Sequence, residues 1–485
     1  MRLGCTRCLD GRQRNFRQNT LSRLFKHPFT KEKGFMNEIN RIVVVGCSGC
    51  GALAARMAKE LDPSLEVTII REEDEKGLLT RCATPYICCG EVMVEPSYKD
   101  DRMFVDRGIK LVDVQAVDVT PATKTVTTAD GSCYPYDKLV LATGAKPVSP
   151  PIPGFDLPGV FTLRTSGDAV SILSWINSAR VRNAVVMGAG AIGIEETYLL
   201  SRRGLQVTLV EMFDRVMPKA LDADMSGEVQ ANMKEKGVVL QLNQRVDAIK
   251  GAGRVQGIAL SSGEEIDAQM VIVSAGTRCN IELAEKAGLA SGKFGLKVNE
   301  YLQTSDPDIY AGGDMVEYPG HVTGKPMLGQ LRPNAVIAGR VIAKNILGYE
   351  IKYPPFINSF ATKFFDKTIA AAGLTESQAQ KEGIEVISAK QTSASKHSMM
   401  RERKPYTVKL IFDRQSEKLI GGQIVSDSEC PVKSIDVIAL AIRTGLNVLD
   451  LTTLRCAGQP ELSPDPGMEP IALAAERVFK ALHTR

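Results

Sequence analysis

The sequence predicts an α/β chain: two Rossmann-like dinucleotide-binding units followed by a smaller C-terminal α+β domain. Two observations lead there. A strand, a glycine-rich turn, a helix and a second strand succeed one another twice, and beyond Gly348 the texture changes to sheet strands followed by one amphipathic helix.

The first unit opens with the β-branched run Ile42 to Val45, turns through Gly46-Cys47-Ser48-Gly49-Cys50-Gly51, continues as a helix from Ala52 to Leu61 and closes with the strand Glu66 to Ile70. Residues 42–70 are about the 30 residues of one βαβ unit. The second repeats the order, with Asn183 to Met187, the turn Gly188-Ala189-Gly190-Ala191-Ile192-Gly193, a helix through Ser201 and the strand Gln206 to Val210. Between them lie a strand from Lys138 to Ala142 and a proline-rich crossover, Pro147 to Pro153, that reads as a domain boundary. Met270 to Ser274 and Ile309 to Gly313 read as strands returning to the first domain. Farther on, Tyr406 to Phe412 and Leu419 to Val425 read as strands, and Ser434 to Arg443 as the amphipathic helix. The expected organisation is a basic, disordered extension over 1–35, a first domain over 36–150 and 276–348, a second over 151–275 and a third over 350–485.

With 485 residues, 44% of them hydrophobic and 24% charged, the chain has the composition of a globular protein of several domains. It has no apolar run near the ~18 to 20 residues of a membrane span. Its net charge of +4 is misleading, because residues 1–35 carry nine Lys/Arg against Asp10 and Glu32, which leaves about −3 on the rest. A nucleic-acid partner is therefore not expected. Eleven cysteines without regular spacing argue against a secreted disulfide framework and for a reducing cytoplasm. Cys5 and Cys8 lack a second ligand pair nearby, so no metal site is expected.

A glycine-rich turn that opens a helix lets backbone N–H groups and the helix dipole meet a pyrophosphate. Gly188, Gly190 and Gly193 fit the full G-x-G-x-x-G pattern, and Glu211 ends the next strand, where a carboxylate accepts from ribose hydroxyls and repels a 2′-phosphate. NADH is favoured over NADPH. In the first turn Ser48 takes the middle glycine position, and Arg71 then Glu72 follow the strand where an acid is expected. For either turn alone, a tight connection that binds nothing is the alternative. Three further segments strengthen the reading: Thr143-Gly144 and Ala275-Gly276 each follow a strand, and Gly312-Gly313-Asp314 ends one with a carboxylate placed to accept from a flavin ribityl hydroxyl.

The order of these motifs resembles the pyridine nucleotide-disulfide oxidoreductase family from residue 41 to about 480. The resemblance implies FAD on the first unit, held by Gly46, Ser48, Gly51, Glu72, Thr143, Gly144 and Asp314. It implies NAD(P)H on the second, held by Gly188, Gly190, Gly193, Glu211 and Gly276, and a C-terminal domain that makes a homodimer.

Two-cysteine members of that family place their redox cysteines five positions apart, but the position five after Cys82 is Ile87. Cys88 and Cys89 are too far along a helix to substitute, since seven residues rise ~10.5 Å against the ~7 Å a disulfide allows. The segment Cys82-Ala83-Thr84-Pro85-Tyr86 resembles the C-x-x-P-Y signature of the single-cysteine branch: coenzyme A-disulfide reductases, NADH oxidases and peroxidases, and persulfide reductases. The expected activity is therefore reduction of a disulfide or persulfide through Cys82, its thiolate favoured by a helix N-terminus. Arg81 and Tyr86 are candidate pocket residues. Leu78 and Arg81 stand where coenzyme A-disulfide reductases carry Ser and Asn, and Cys456-Ala457-Gly458-Gln459-Pro460 replaces a Tyr-Ala-Pro-Pro element. This makes Cys456, or Cys430, a candidate to resolve a mixed disulfide on the partner's Cys82. Cys47, Cys50, Cys88 and Cys89 are expected to pack rather than react. The glutathione- and lipoamide-type activities are disfavoured, because none of His27, His321, His397 and His483 has the His-Glu context they use. The rival activities are reduction of oxygen or peroxide, with Cys82 cycling through sulfenic acid, and electron transfer to a protein partner.

Overall fold

The computed structural model describes residues 39–72 and 77–484. The basic extension 1–35, with Cys5 and Cys8, lies outside the described residues.

Along the chain the elements that frame the site are β1 (Arg41–Val45), α1 (Gly49–Leu61), β2 (Glu66–Ile70), α2 (Thr84–Cys88), β3 (Ile109–Val112), β4 (Lys138–Leu141), β5 (Val160–Phe161), α3 (Ser166–Ser178), β6 (Asn183–Met187), α4 (Ala191–Arg202), β7 (Gln206–Glu211), β8 (Val239–Leu242), β9 (Met270–Val273), β10 (Ile309–Ala311) and α5 (Arg332–Ile346). The C-terminal part adds β11 (Phe360–Phe364), β12 (Lys367–Gly373), β13 (Val386–Ala394), β14 (Pro405–Asp413), β15 (Leu419–Ser426), α6 (Ile435–Thr444) and α7 (Pro470–His483).

Two five-stranded parallel sheets and one antiparallel sheet result. The first runs β10-β4-β1-β2-β3 and the second β5-β9-β6-β7-β8. Their central strands are nearly all apolar, as parallel strands buried on both faces must be: Val44, Leu139, Val185 and Ile272 have no exposed surface. From β1 in the first sheet and from β6 in the second, the chain moves outward to one side and then crosses to the other. This creates a crevice at the carboxyl end of β1 beside β4, and another at the carboxyl end of β6 beside β9. The strand Met270–Val273 pairs with β6 and β5, so it belongs to the second sheet and does not return to the first as its sequence suggested. Its partner in that expectation, Ile309–Ala311, does pair with β4 of the first sheet.

α1 and α5 pack closely over the first sheet because Gly339 puts no side chain between them; a Cβ there would collide with the carbonyl oxygen of Cys50. The antiparallel sheet runs β11-β12-β15-β14-β13. Ile435, Ile438, Ala441 and Ile442 of α6 and Ile471, Ala474, Ala475 and Val478 of α7 are buried in the apolar cluster that also takes Val408, Leu410 and Phe412 of β14. Val437 and Leu440, also on α6, stay exposed.

Candidate functional site

The two glycine turns solve the same steric problem with the same atoms. Gly46 has φ +102° and Gly188 φ +101°; a Cβ on either would strike the backbone carbonyl that ends the neighbouring strand, Ala142 or, at 2.6 Å, Ser274. Gly51 and Gly193 face the carbonyls of Gly46 and Gly188, so a side chain at either would push its helix off its strand. The middle positions differ. A Cβ at Gly190 would meet no described atom within 4 Å, whereas Ser48, with φ −134° and no side-chain capping bond, carries its hydroxymethyl group into the corresponding place. Both turns therefore leave the backbone of a helix N-terminus facing an open crevice, the arrangement a pyrophosphate requires.

At the end of β7 the carboxylate of Glu211 accepts the N–H of Ala189 at 2.7 Å and that of Phe213 at 3.1 Å. The corresponding end of β2 is inverted in charge. Arg71 is buried there, with both guanidinium Nη atoms on the carboxylate of Asp101 at 2.8 and 2.6 Å and Nε on Asp113 at 2.6 Å. Two carboxylates already hold that guanidinium, and Glu72 beside it is exposed. Gly276, with φ +107° and open space around its would-be Cβ, follows β9 beside the second turn.

Thr143, Gly144 and Asp314 converge on the first crevice. The Thr143 hydroxyl donates to the carbonyl of Asn280 at 2.6 Å, and the Asn280 amide returns a bond to the Thr143 carbonyl at 3.0 Å. The Asp314 backbone carbonyl receives Gln330 Nε2 at 3.2 Å and Cys279 Sγ at 3.1 Å, which fixes the loop after β10. Burial raises the Asp314 carboxyl above its ordinary range, an effect that Arg164 and then Arg81 oppose. Arg164 Nη1 lies 3.6 Å from that carboxylate, and its carbonyl accepts Arg81 Nη1 at 2.9 Å.

Cys82 sits in a 3-10 turn, Arg81–Ala83, and is exposed. The helix after it begins only at Thr84, with Pro85 in its first turn, and has five residues. The expected helix N-terminus beneath Cys82 is thus too short to supply a substantial dipole. Cys88 and Cys89 end that helix inside the apolar cluster formed with α3 and α4, and burial, then Glu196, pushes both thiols well up. Cys47 and Cys50 are likewise buried, and burial raises the Cys50 thiol to about 12. Tyr86 is half-buried on α2; burial, then the Glu195 carboxylate, raises its phenol. Cys456 lies in the C-terminal part, exposed, with its thiol raised by burial and then by Glu469. Among the described residues nothing joins it, or Cys430, to Cys82: all three are free thiols.

Two acids and an arginine escaped the sequence reading. Glu195 of α4 accepts the Thr362 hydroxyl of β11 at 2.6 Å, tying the second sheet's helix to the C-terminal sheet. Glu196 beside it has no exposed surface and no hydrogen-bond partner for either oxygen. Arg164 carried no motif. Doublets of acids after a glycine turn were the one available signal for the first two.

The chain belongs to the pyridine nucleotide-disulphide oxidoreductase family: that family's model matches residues 40–336, and the model of its dimerisation domain matches residues 359–467. It is accordingly an FAD-dependent, pyridine nucleotide-using oxidoreductase. It is 35% identical over 456 residues to an NADH oxidase of Methanocaldococcus jannaschii, covering 92% of this chain and 100% of that one. It is 32% identical to a CoA-dependent NAD(P)H sulfur oxidoreductase of Pyrococcus furiosus, covering 88% and 97%. Among solved structures it resembles an NAD-dependent persulfide reductase from A. fulgidus with a TM-score of 0.87 and 33% identity, covering 91% of this chain and 83% of that one. Among the described residues no helix is long and apolar enough to cross a membrane, and no group of three or more His, Cys, Asp or Glu could hold a metal ion.

Proposed function

We propose that this protein uses NADH to reduce a disulfide or persulfide through Cys82. The observation that carries the reading is the exposure of the Cys82 thiol on a turn whose Arg81 is bonded to Arg164, itself beside Asp314, while Cys88 and Cys89 six and seven positions on are sealed in an apolar core. FAD fits the first crevice, where Gly46, Ser48 and Gly51 would meet its pyrophosphate, Thr143 and Gly144 line the approach and Asp314 would accept from its ribityl chain; when bound, it supplies the electron pair taken from NADH. NADH fits the second, on Gly188, Gly190, Gly193 and Gly276, with Glu211 toward its ribose. Glu72 remains the acid nearest the first ribose in sequence.

On the sulfur side the chemistry belongs to the chain. The Cys82 thiolate attacks a substrate sulfur, the S–S bond breaks, one thiol product leaves, and a mixed disulfide remains on Cys82. A two-electron reduction splits that disulfide, releases the second thiol and restores the thiolate. Arg81 supplies positive charge beside the reacting sulfur. Leu78, four residues before Cys82, is buried in a two-residue strand paired with Tyr98–Lys99 and offers no hydroxyl to a substrate, which favours a small polysulfide or persulfide over a large nucleotide-bearing disulfide.

Cys82→Ser tests the reading. The variant should retain FAD and lose turnover with polysulfide, persulfide and coenzyme A disulfide; undiminished thiol production would remove Cys82 from the mechanism. The NADH oxidase name of the M. jannaschii relative supports a second activity, reduction of oxygen or peroxide, and NADH consumption under each acceptor separates the two. A homodimer, formed through the C-terminal part, accords with the dimerisation-domain match and with exposed Val437 and Leu440. Nine free thiols among the described residues suit a reducing cytoplasm.

A further inference from the structure

Arg164 belongs by sequence to the second dinucleotide-binding half, between β5 and α3, yet its polar atoms serve the first. Its backbone is clamped: its N–H and that of Thr165 both donate to Asp168 Oδ2, at 2.9 and 2.8 Å, and the Thr165 hydroxyl receives Asp168 N–H at 3.0 Å, a reciprocal cap that begins α3. From that fixed point the carbonyl takes the Arg81 guanidinium at 2.9 Å, one residue from Cys82. The side chain runs the other way, with Nη1 3.6 Å from Asp314 Oδ2 and Nη2 3.1 Å from the place a Cβ on Gly144 would occupy. Gly144 has φ +72°, a conformation in which a side chain would be strained, and the guanidinium sits in close contact with the place its Cβ would take.

We propose that Arg164 is a positioning residue that sets the Cys82 turn relative to the flavin-binding carboxylate Asp314, one end of the residue gripping each. This rests on the reading of Asp314 as a flavin ligand and of Cys82 as the redox thiol. Its physical basis is that a partly buried carboxylate is stabilised by a compensating charge, and the cation supplying it here belongs to the same residue whose carbonyl holds the cysteine's neighbour. Loss of the guanidinium leaves Asp314 without that charge and weakens FAD binding, while the Arg164 carbonyl, held by the Asp168 clamp, still takes Arg81; loss of the clamp in Asp168→Ala frees that carbonyl and with it the setting of Cys82.

Two measurements, one on Arg164→Met and one on Asp168→Ala, read the two ends. In Arg164→Met the dissociation constant of FAD, from fluorescence titration of the apoprotein, should rise about tenfold. In Asp168→Ala, which releases the Arg164 carbonyl, the rate constant for alkylation of Cys82 by iodoacetamide in the FAD-loaded protein, followed by peptide mass, should change by about threefold or more, as expected when a reacting group is displaced. Arg164→Lys, which keeps the charge, should recover most of the FAD affinity. A folded Arg164→Met with wild-type FAD affinity overturns the proposal, and so does a folded Asp168→Ala whose Cys82 alkylates at the wild-type rate. If Arg164→Met does not fold, Arg164→Lys in an Asp314→Asn background decides: an added loss of FAD affinity there overturns the link to Asp314. The underlying reading fails differently, through unchanged FAD binding in Asp314→Asn or unchanged turnover in Cys82→Ser.

Discussion

Glu211 at the end of β7 holds the backbone N–H of Ala189, inside the second glycine turn, at 2.7 Å. The acid therefore stiffens the second glycine turn and, on the proposed reading, would also face the ribose of a bound nucleotide. A 2′-phosphate would bring further negative charge against a group that is already buried, and Arg215 in the same loop is bonded to Asp214, the Leu221 carbonyl and Ser377.

Replacement of Glu211 by Gln removes the charge and keeps an acceptor for only one of the two backbone N–H groups, because the amide nitrogen cannot accept from the other. The expected result is a KM for NADH raised about tenfold, with a smaller rise or none for NADPH, so that the preference narrows. Steady-state kinetics with both nucleotides measures it. An unchanged NADH to NADPH ratio would place the discrimination elsewhere.

Cysteine accessibility gives a second expectation. Cys82, Cys133, Cys430 and Cys456 are exposed, whereas Cys47, Cys50, Cys88, Cys89 and Cys279 are buried. A brief native treatment with iodoacetamide should label the first group and leave the second, as burial raises the thiols of Cys50, Cys88, Cys89 and Cys279. Labelling of Cys88 at the rate of Cys82 would contradict the packing of α2.

The two βαβ units could be read from sequence nearly residue for residue, because each is encoded within about thirty consecutive residues by apolar strands and a steric demand for glycine. Asn183–Met187 is a strand with the bounds its pattern indicated. Membership of a sheet is not local: Met270–Val273 looks the same whichever sheet receives it, and the crossover decides. Much of the C-terminal sheet was silent for a different reason. Lys367–Gly373 is mostly alanine and threonine, and Val386–Ala394 alternates weakly, so neither carries a clear period of two. At the site, the glycines and Cys82 announced themselves through motifs. Arg164 did not, because what matters is its contact with Arg81, 83 positions away.

Lys409 of β14 fixes the C-terminal sheet to the second dinucleotide-binding half. The residue is 3% exposed, and its ammonium lies 2.8 Å from Asp224, 3.1 Å from Glu376 and 3.4 Å from Asp222, while Asp222 also takes Gln423 Nε2 at 2.7 Å. Lys409→Met leaves three carboxylates facing one another. It should cost about 3 kcal/mol, the lower end for breaking a buried pair because Asp224 and Glu376 reach solvent. Denaturant unfolding measures this, and Lys409→Met joined to Asp222→Asn should recover part of the loss.

Glu196 gives stability a pH dependence of a definite sign. Its carboxyl is fully buried on α4, with no hydrogen bond to either oxygen, and Glu195 and the thiols of Cys88 and Cys89 are the titratable groups near it. Burial, then Glu195, raises its pKa from 4.5 to about 8. Below 4.5 both folded and unfolded chains hold the proton and the group adds no pH dependence. Between 4.5 and about 8 the unfolded chain ionises while the folded one does not, so stability is lost as pH rises, reaching on the order of 5 kcal/mol above pH 8. Glu196→Gln keeps the shape without the proton. Its stability relative to the parent protein should therefore improve steadily from pH 5 to pH 8 in denaturant titrations, and a difference that stays constant over that interval would mean that Glu196 is ionised in the folded protein throughout.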